Sequence, residues 1–178
     1  MKDGTIIAFS SRFGIKHFLY YPFRYLIQLF TGSRIEHLGI VSFGDLYEAR
    51  TPQVIKSNAL ERVKNTADHI KVFKYEPNFN LNDSQKVALY RDLQAQLGKK
   101  YGIIDAAFSA IDRLPLFRLF LSKDKAISEK QFCSKLCAIA YQKLGLISNR
   151  INSSRLHPKE FITIINENNL TGGRVSVK

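Results

Sequence analysis

Acidic residues are scarce in this chain: 15 Asp plus Glu stand against 27 Lys plus Arg, a formal charge of +12 over 178 residues. That deficit says nothing about fold, but it favours an anionic partner: nucleic acid, an acidic membrane face or an acidic polymer. Cysteine is scarcer still. The two thiols, Cys133 and Cys137, lie four positions apart. On one helix they stack a turn apart, which is poor disulfide geometry and argues against a disulfide-built secreted scaffold. Gly and Pro together number 15, too few for a low-complexity chain.

Long apolar runs are missing too. The most apolar stretch, HFLYYPFRYLIQLF at residues 17–30, is too short to span a bilayer and carries Arg24 in its middle. Two readings of it stay open. It is a core helix kinked at Pro22, or a helix lying on a membrane surface beside Arg12, Lys16, Arg24 and Arg34. The N-terminus, MKDG, has no basic leader with a cleavage site, so the expected location is the cytoplasm, or a particle such as a phage virion that carries the protein. Histidines are scattered singly, and no His or Cys pair beyond Cys133 and Cys137 has ligand spacing. No metal is expected. Gly172-Gly173 lies in a tail and is not a phosphate loop, so no cofactor is expected either. No nucleic-acid-binding motif is present.

What remains is an ordinary globular composition, 45% hydrophobic and 24% charged, long enough for one domain over residues 1–178. Gly4 to Ser10 reads as a buried strand, Glu36 to Phe43 as a second, Gly44-Asp45 as a tight turn and Leu46 to Arg50 as the return strand. Val54 to Val63 reads as irregular or a short helix, and Ile70 to Tyr75 as a half-exposed strand. Asn82-Asp83-Ser84 caps a helix with Val87, Tyr90, Leu93 and Leu97 on one face, stopping at Gly98. The strongest helix runs from Cys133 to Leu144, with Gly145 as its stop. His157-Pro158-Lys159-Glu160 opens a last helix, and Thr171 to Lys178 is a loose tail or an edge strand. Strands early and helices late, with hairpin pairing, predict an α+β fold.

Cys133 is placed at the start of its helix, where free N–H groups and positive potential favour a thiolate and can hold an oxyanion. Cys137, a turn deeper, reads as core. A cysteine nucleophile needs a base, and the histidines are His17, His37, His69 and His157. Position on a rigid strand favours His37, and Gly39 beside it lets another chain or a substrate approach that face. The other three stay open on the residues alone. The base needs an orienting acceptor, and Glu48 shares a face with His37. With Gly44-Asp45 as the turn, Glu48 pairs with Val41, about 13 Å along the strand from His37. A twist, a bulge or a longer loop is then needed to bring them together.

The ordered set Gly4-Thr5-Ile6-Ile7, His37-Leu38-Gly39-Ile40, Tyr47-Glu48-Ala49, Phe132-Cys133-Ser134-Lys135-Leu136 and Leu156-His157-Pro158-Lys159-Glu160-Phe161 resembles the circularly permuted NlpC-type papain-like proteins. The YiiX-like hydrolases and lecithin–retinol acyltransferase-like enzymes belong to that group. The resemblance covers nearly the whole chain. It implies a permuted papain-like fold, a small antiparallel sheet packed against helices that include the nucleophile helix. It further implies Cys133 as nucleophile, His37 as base, Glu48 as orienter and Tyr101 as a substrate-binding wall residue. Residues 11–34 and 106–130 become insertions flanking the cleft. Three departures bear on substrate class: Thr5 and Gly102 stand where the family has Asp, and Lys135 where it has Glu.

Three functions follow as expectations. The first is a thiol hydrolase that cleaves an amide or ester in a peptidoglycan peptide, an isopeptide or a lipid ester, through a thioester. The second is an acyltransferase or lipase using the same site at an anionic membrane. The third is a non-enzymatic basic protein bound to a polyanion such as nucleic acid.

Overall fold

The computed structural model describes residues 1–11, 34–101 and 132–178. Apart from Ser11 and Arg34, the two stretches expected to be insertions lie outside the described residues, as does the apolar run at 17–30. Six strands and four α-helices are present among the described residues. In chain order they are β1 (Ile6–Ser11), β2 (Ile35–Ser42), β3 (Asp45–Ala49), β4 (Val54–Asn58), α1 (Ala59–Lys64), β5 (Ile70–Pro77), α2 (Asp83–Gln94), α3 (Cys133–Lys143), α4 (Pro158–Glu167) and β6 (Thr171–Ser176). A 3₁₀ turn, Ser153–Arg155, precedes α4.

The strands form one antiparallel sheet in the order β4-β3-β2-β1-β5-β6. The expected α+β class is the observed one. Both faces of the central strands are buried, so they read as nearly continuous apolar runs. One face carries Ile6, Ala8, Leu38, Ile40 and Tyr47 and packs against α2, α3 and α4. The other carries Ile7, Phe9, Val41, Leu46 and Val72 and is covered by α1 through Ala59 and Val63.

The hairpin joining β2 to β3 departs from expectation. Ser42 pairs with Asp45, so the two-residue turn is Phe43-Gly44 and not Gly44-Asp45. Both residues have positive φ, 48° and 81°, as a type I′ turn requires. A phenylalanine in that region is strained. Its N–H donates to Asp3 Oδ1 at 2.5 Å, and its ring meets Tyr90 edge-on at 5.4 Å. The register moves with the turn: Glu48 pairs with Gly39, not with Val41.

Two further readings are corrected. Residues 54–58 form an edge strand, and the helix α1 begins only at Ala59, capped by the Asn58 side chain, which accepts from the N–H groups of Leu60 and Glu61. In α2 the buried residues are Leu89 and Leu93, whereas Val87 and Tyr90 are exposed. The Asn82 cap is as expected and completes a capping box with Gln85. Helix α3 buries Leu136, Cys137, Ala140 and Tyr141, with Gly145 in the left-handed region beyond its end. The Tyr141 hydroxyl donates to the Gly4 carbonyl at 2.8 Å and fixes α3 against the start of β1. His157 caps α4, and the C-terminal stretch forms the edge strand β6.

Candidate active site

His37 sits on β2 where the β2–β3 ladder stops. The last pair of that ladder is Gly39 with Glu48. Val41 exchanges hydrogen bonds with the β1 side, through the Thr5 carbonyl and the Gly4 N–H. Alternation along an antiparallel strand therefore turns the N–H of Leu38 and the carbonyl of Glu36 toward the β3 side. Past Gly39 no strand pairs on that side among the described residues. The Cys133 sulfur occupies this open edge: it lies 4.0 Å from the Glu36 carbonyl and accepts from the N–H groups of Leu38 and Ser134. Where the ladder ends, the Leu38 N–H thus faces the sulfur and favours a thiolate there.

The corrected register brings Glu48 to His37. His37 Nε2 lies 2.9 Å from Glu48 Oε1, which leaves Nδ1 for the hydrogen bond with the Cys133 thiol. The 13 Å gap implied by the expected turn does not exist, because Glu48 is diagonal to His37 across two positions. Gly39 makes the diagonal passable. A Cβ there would stand 3.1 Å from Glu48 Cγ and 2.8 Å from Leu46 Cδ1. The space beside Gly39 is therefore filled by side chains of β3, and is not the approach for another chain or a substrate that the sequence suggested.

Glu48 is fully buried, and its second oxygen is held from α1. Arg62 Nε donates to Glu48 Oε2 at 2.9 Å, and a second guanidinium nitrogen reaches Oε1 at 3.3 Å. Sequence reasoning does not single out Arg62, because residues 54–63 read as irregular or a short helix with no clear boundary. One signal was there: Asn58 three residues before Glu61 is a helix-start pattern, and it puts Arg62 on a helix beside the sheet.

The electrostatics follow from these contacts. Burial opposes a charge on His37, but hydrogen bonds and charge from Cys133 and then Glu48 outweigh it and raise the imidazole to about 9. Burial pushes the Cys133 thiol up, and this is more than offset by the His37 hydrogen bond and charge and by the Leu38 and Ser134 N–H groups. Its pKa falls below the ordinary thiol value. Burial likewise raises Glu48, and His37 followed by Arg62 brings it below the usual carboxylate range. Cys137 has no such partners; burial, and then the charge of Cys133, push it well above an ordinary thiol. Two cysteines one turn apart thus have opposite chemistry, which matches the reading of Cys137 as core.

The structure brings together Cys133, His37 and Glu48. Tyr101 is half-buried against the main core, and its N–H donates to the Pro52 carbonyl at 2.8 Å. Of the other histidines, His157 is a buried helix cap and His69 precedes β5; His17 is outside the described residues.

Fold and site together define an α+β protein with a Cys–His–Glu cluster where the β2–β3 ladder ends. The chain is similar in structure to the metalloprotein YiiX (DUF1105) from Escherichia coli O157:H7, with a TM-score of 0.54 and 16% identity over 99% of this chain and 96% of that one. That likeness is one of fold. No protein-family model and no curated protein matches the sequence. Among the described residues no group of three or more His, Cys, Asp or Glu is arranged to hold a metal ion. At the Cys133 site the third donor would be Glu48, whose oxygens are committed to His37 and Arg62, so these residues do not fit a three-ligand metal centre. Among the described residues, no helix is long and apolar enough to cross a membrane.

Proposed function

We propose that the protein is a cysteine hydrolase of the permuted papain-like type, acting on an amide or ester through a thioester intermediate. The observation that carries this reading is the hydrogen-bonded series Cys133–His37–Glu48, with its thiol lowered and its imidazole raised.

In the proposed reaction the Cys133 thiolate attacks the carbonyl carbon, and the carbonyl electron pair moves to oxygen. That oxyanion forms beside the N-terminus of α3, whose positive end favours a negative charge. Collapse reforms the carbonyl and expels the amine or alkoxide, which takes the proton from the His37 imidazolium. Neutral His37 then removes a proton from water, and the resulting hydroxide attacks the thioester. The acid product leaves, and the thiolate–imidazolium pair is restored. Glu48 holds the ring and balances its charge throughout.

The test is selective alkylation. Iodoacetamide at pH 7 labels Cys133 and leaves Cys137 unlabelled in the native protein, and His37→Ala slows the labelling at least tenfold. Equal, slow labelling of both thiols overturns the reading. A panel of peptide amides, isopeptides and lipid esters then identifies the bond, with Cys133→Ala as the inactive control. Tyr101→Ala, which trims the proposed wall residue, raises KM with little change in kcat.

The +12 charge supports a second element of the proposal, an anionic surface as partner. Sedimentation with phosphatidylserine vesicles at low salt favours a lipid ester as substrate. Retention of DNA with a steep salt dependence favours a polyanion instead.

A further inference from the structure

Arg62 does more than neutralise one carboxylate. Each nitrogen of its guanidinium group is engaged. Nε and one terminal nitrogen hold the two oxygens of Glu48, and the other terminal nitrogen donates to Thr66 Oγ1 at 2.9 Å. The Thr66 hydroxyl in turn donates to the Arg62 carbonyl at 2.8 Å, which pins the side chain to its own helix. The guanidinium carbon stands 4.5 Å from the centroid of the Phe9 ring, and that same ring meets the His37 imidazole at 5.5 Å. Phe9, from β1, is therefore a shared brace for Arg62 and His37. The three groups around Glu48 are locked relative to one another from three elements.

Charge gives this arrangement its consequence. The active form has a thiolate at Cys133 and a carboxylate at Glu48. His37 alone supplies one cation for two anions in a cluster where Glu48 is fully buried and Cys133 is 4% exposed. Arg62 is the second cation, so with it the cluster is neutral. Without it, one of the two anions must take up a proton.

We infer that Arg62 is a positioning residue of the Cys133 site: braced on Phe9 and Thr66, it orients Glu48 against His37 and supplies the counter-charge that lets Glu48 and Cys133 be anionic together. This rests on the proposed thiol chemistry only for its functional consequence. The charged and titratable groups concerned are His37 on β2 and Arg62 on α1, which face Glu48, and Cys133 and Cys137 on α3, of which Cys133 meets His37.

The experiment compares the parent protein with Arg62→Met, which keeps length and apolar contact with Phe9, and Arg62→Lys, which keeps the charge. Two readouts are followed against pH: the Glu48 carboxyl carbon chemical shift, and the rate of Cys133 alkylation by iodoacetamide. In Arg62→Met the Glu48 midpoint rises by about one unit or more, and alkylation at pH 6 falls about tenfold. Arg62→Lys restores the alkylation rate to within about threefold of the parent. Protection of Cys137 from labelling reports that each variant is folded. If Arg62→Met does not protect Cys137, Arg62→Gln takes its place, with the same shifts expected. Superimposable Glu48 titrations and alkylation profiles for parent and Met variant overturn the inference, as does a Lys variant as slow as the Met variant. A shifted Glu48 titration in a protein whose parent Cys133 is unreactive leaves Arg62 as the organiser of Glu48 and removes the hydrolase reading instead.

Discussion

Gly39→Ala places one methyl group where the site has no room for it. The new Cβ would stand 2.8 Å from Leu46 Cδ1, and 3.1 Å from both Leu46 Cγ and Glu48 Cγ. Real contacts of this kind lie near 3.5–4.0 Å. Leu46 is fully buried, so its methyl end has no solvent to move into. Overpacking of this kind costs about 1–3 kcal/mol. In a chain of this length each kcal/mol lowers Tm by about 2–4 °C, so a fall of roughly 2–12 °C is expected. The displacement also has a direction. It pushes the Glu48 side chain away from His37, stretching a hydrogen bond now 2.9 Å long. Stability and chemistry should therefore fall together. Thermal unfolding followed by circular dichroism measures the first, and the Cys133 alkylation rate at pH 7 the second, with a severalfold loss expected. A variant with Tm within 1 °C of the parent and an unchanged rate would refute the argument that Gly39 is there for the β3 side chains.

Three other outcomes follow from the same geometry. His37 should titrate near pH 9 by imidazole NMR, and Cys133→Ser, which removes the anionic partner, should lower that midpoint. Since the folded value is above the ordinary 6.5, the stability it contributes is complete below pH 6.5 and is lost as the pH rises through about 9. Glu48 is shifted the other way, so its contribution is present above the unfolded carboxylate value of about 4.3 and is lost as the pH falls through the lower folded value; Glu48→Gln should flatten that acid limb in denaturant titrations. Tyr141→Phe leaves the buried Gly4 carbonyl without its donor and should cost about 1–3 kcal/mol in urea unfolding. Its alkylation rate at Cys133 should stay close to that of the parent, because the hydroxyl lies at the far end of the helix from the thiol.

The α+β class, the strands around His37 and Glu48, the helix from Cys133 and the caps at Asn82 and His157 were legible in the sequence, because alternation, 3.6-residue spacing and capping residues are local signals. The register was not. Gly44-Asp45 reads as a turn, yet the chain turns at Phe43-Gly44, because the left-handed conformation at Phe43 is held by Asp3, 40 positions earlier, and Tyr90, 47 positions later. One residue of shift in the turn moves the partner of Glu48 by two, and that decides whether Glu48 reaches His37. The Asn58 cap places Arg62 on a helix, but its partner is hidden for a similar reason. Nothing local to Ser57-Asn58-Ala59-Leu60-Glu61-Arg62 says that its guanidinium will meet a carboxylate 14 residues earlier. The sequence could name the chemical groups, but only tertiary contacts bring them to bonding distance.

The sulfur of Cys133 rests on a carbonyl 97 positions earlier in the chain, and every partner that makes it acidic comes from that distant hairpin or from its own helix turn. A nascent or heat-unfolded chain therefore carries two ordinary, interchangeable thiols. On the proposed chemistry their divergence, one reactive and one inert, is acquired only when α3 docks on the sheet, so nucleophilicity itself reports that docking. A polypeptide arrested before that step has no activated thiol to expend on its neighbours.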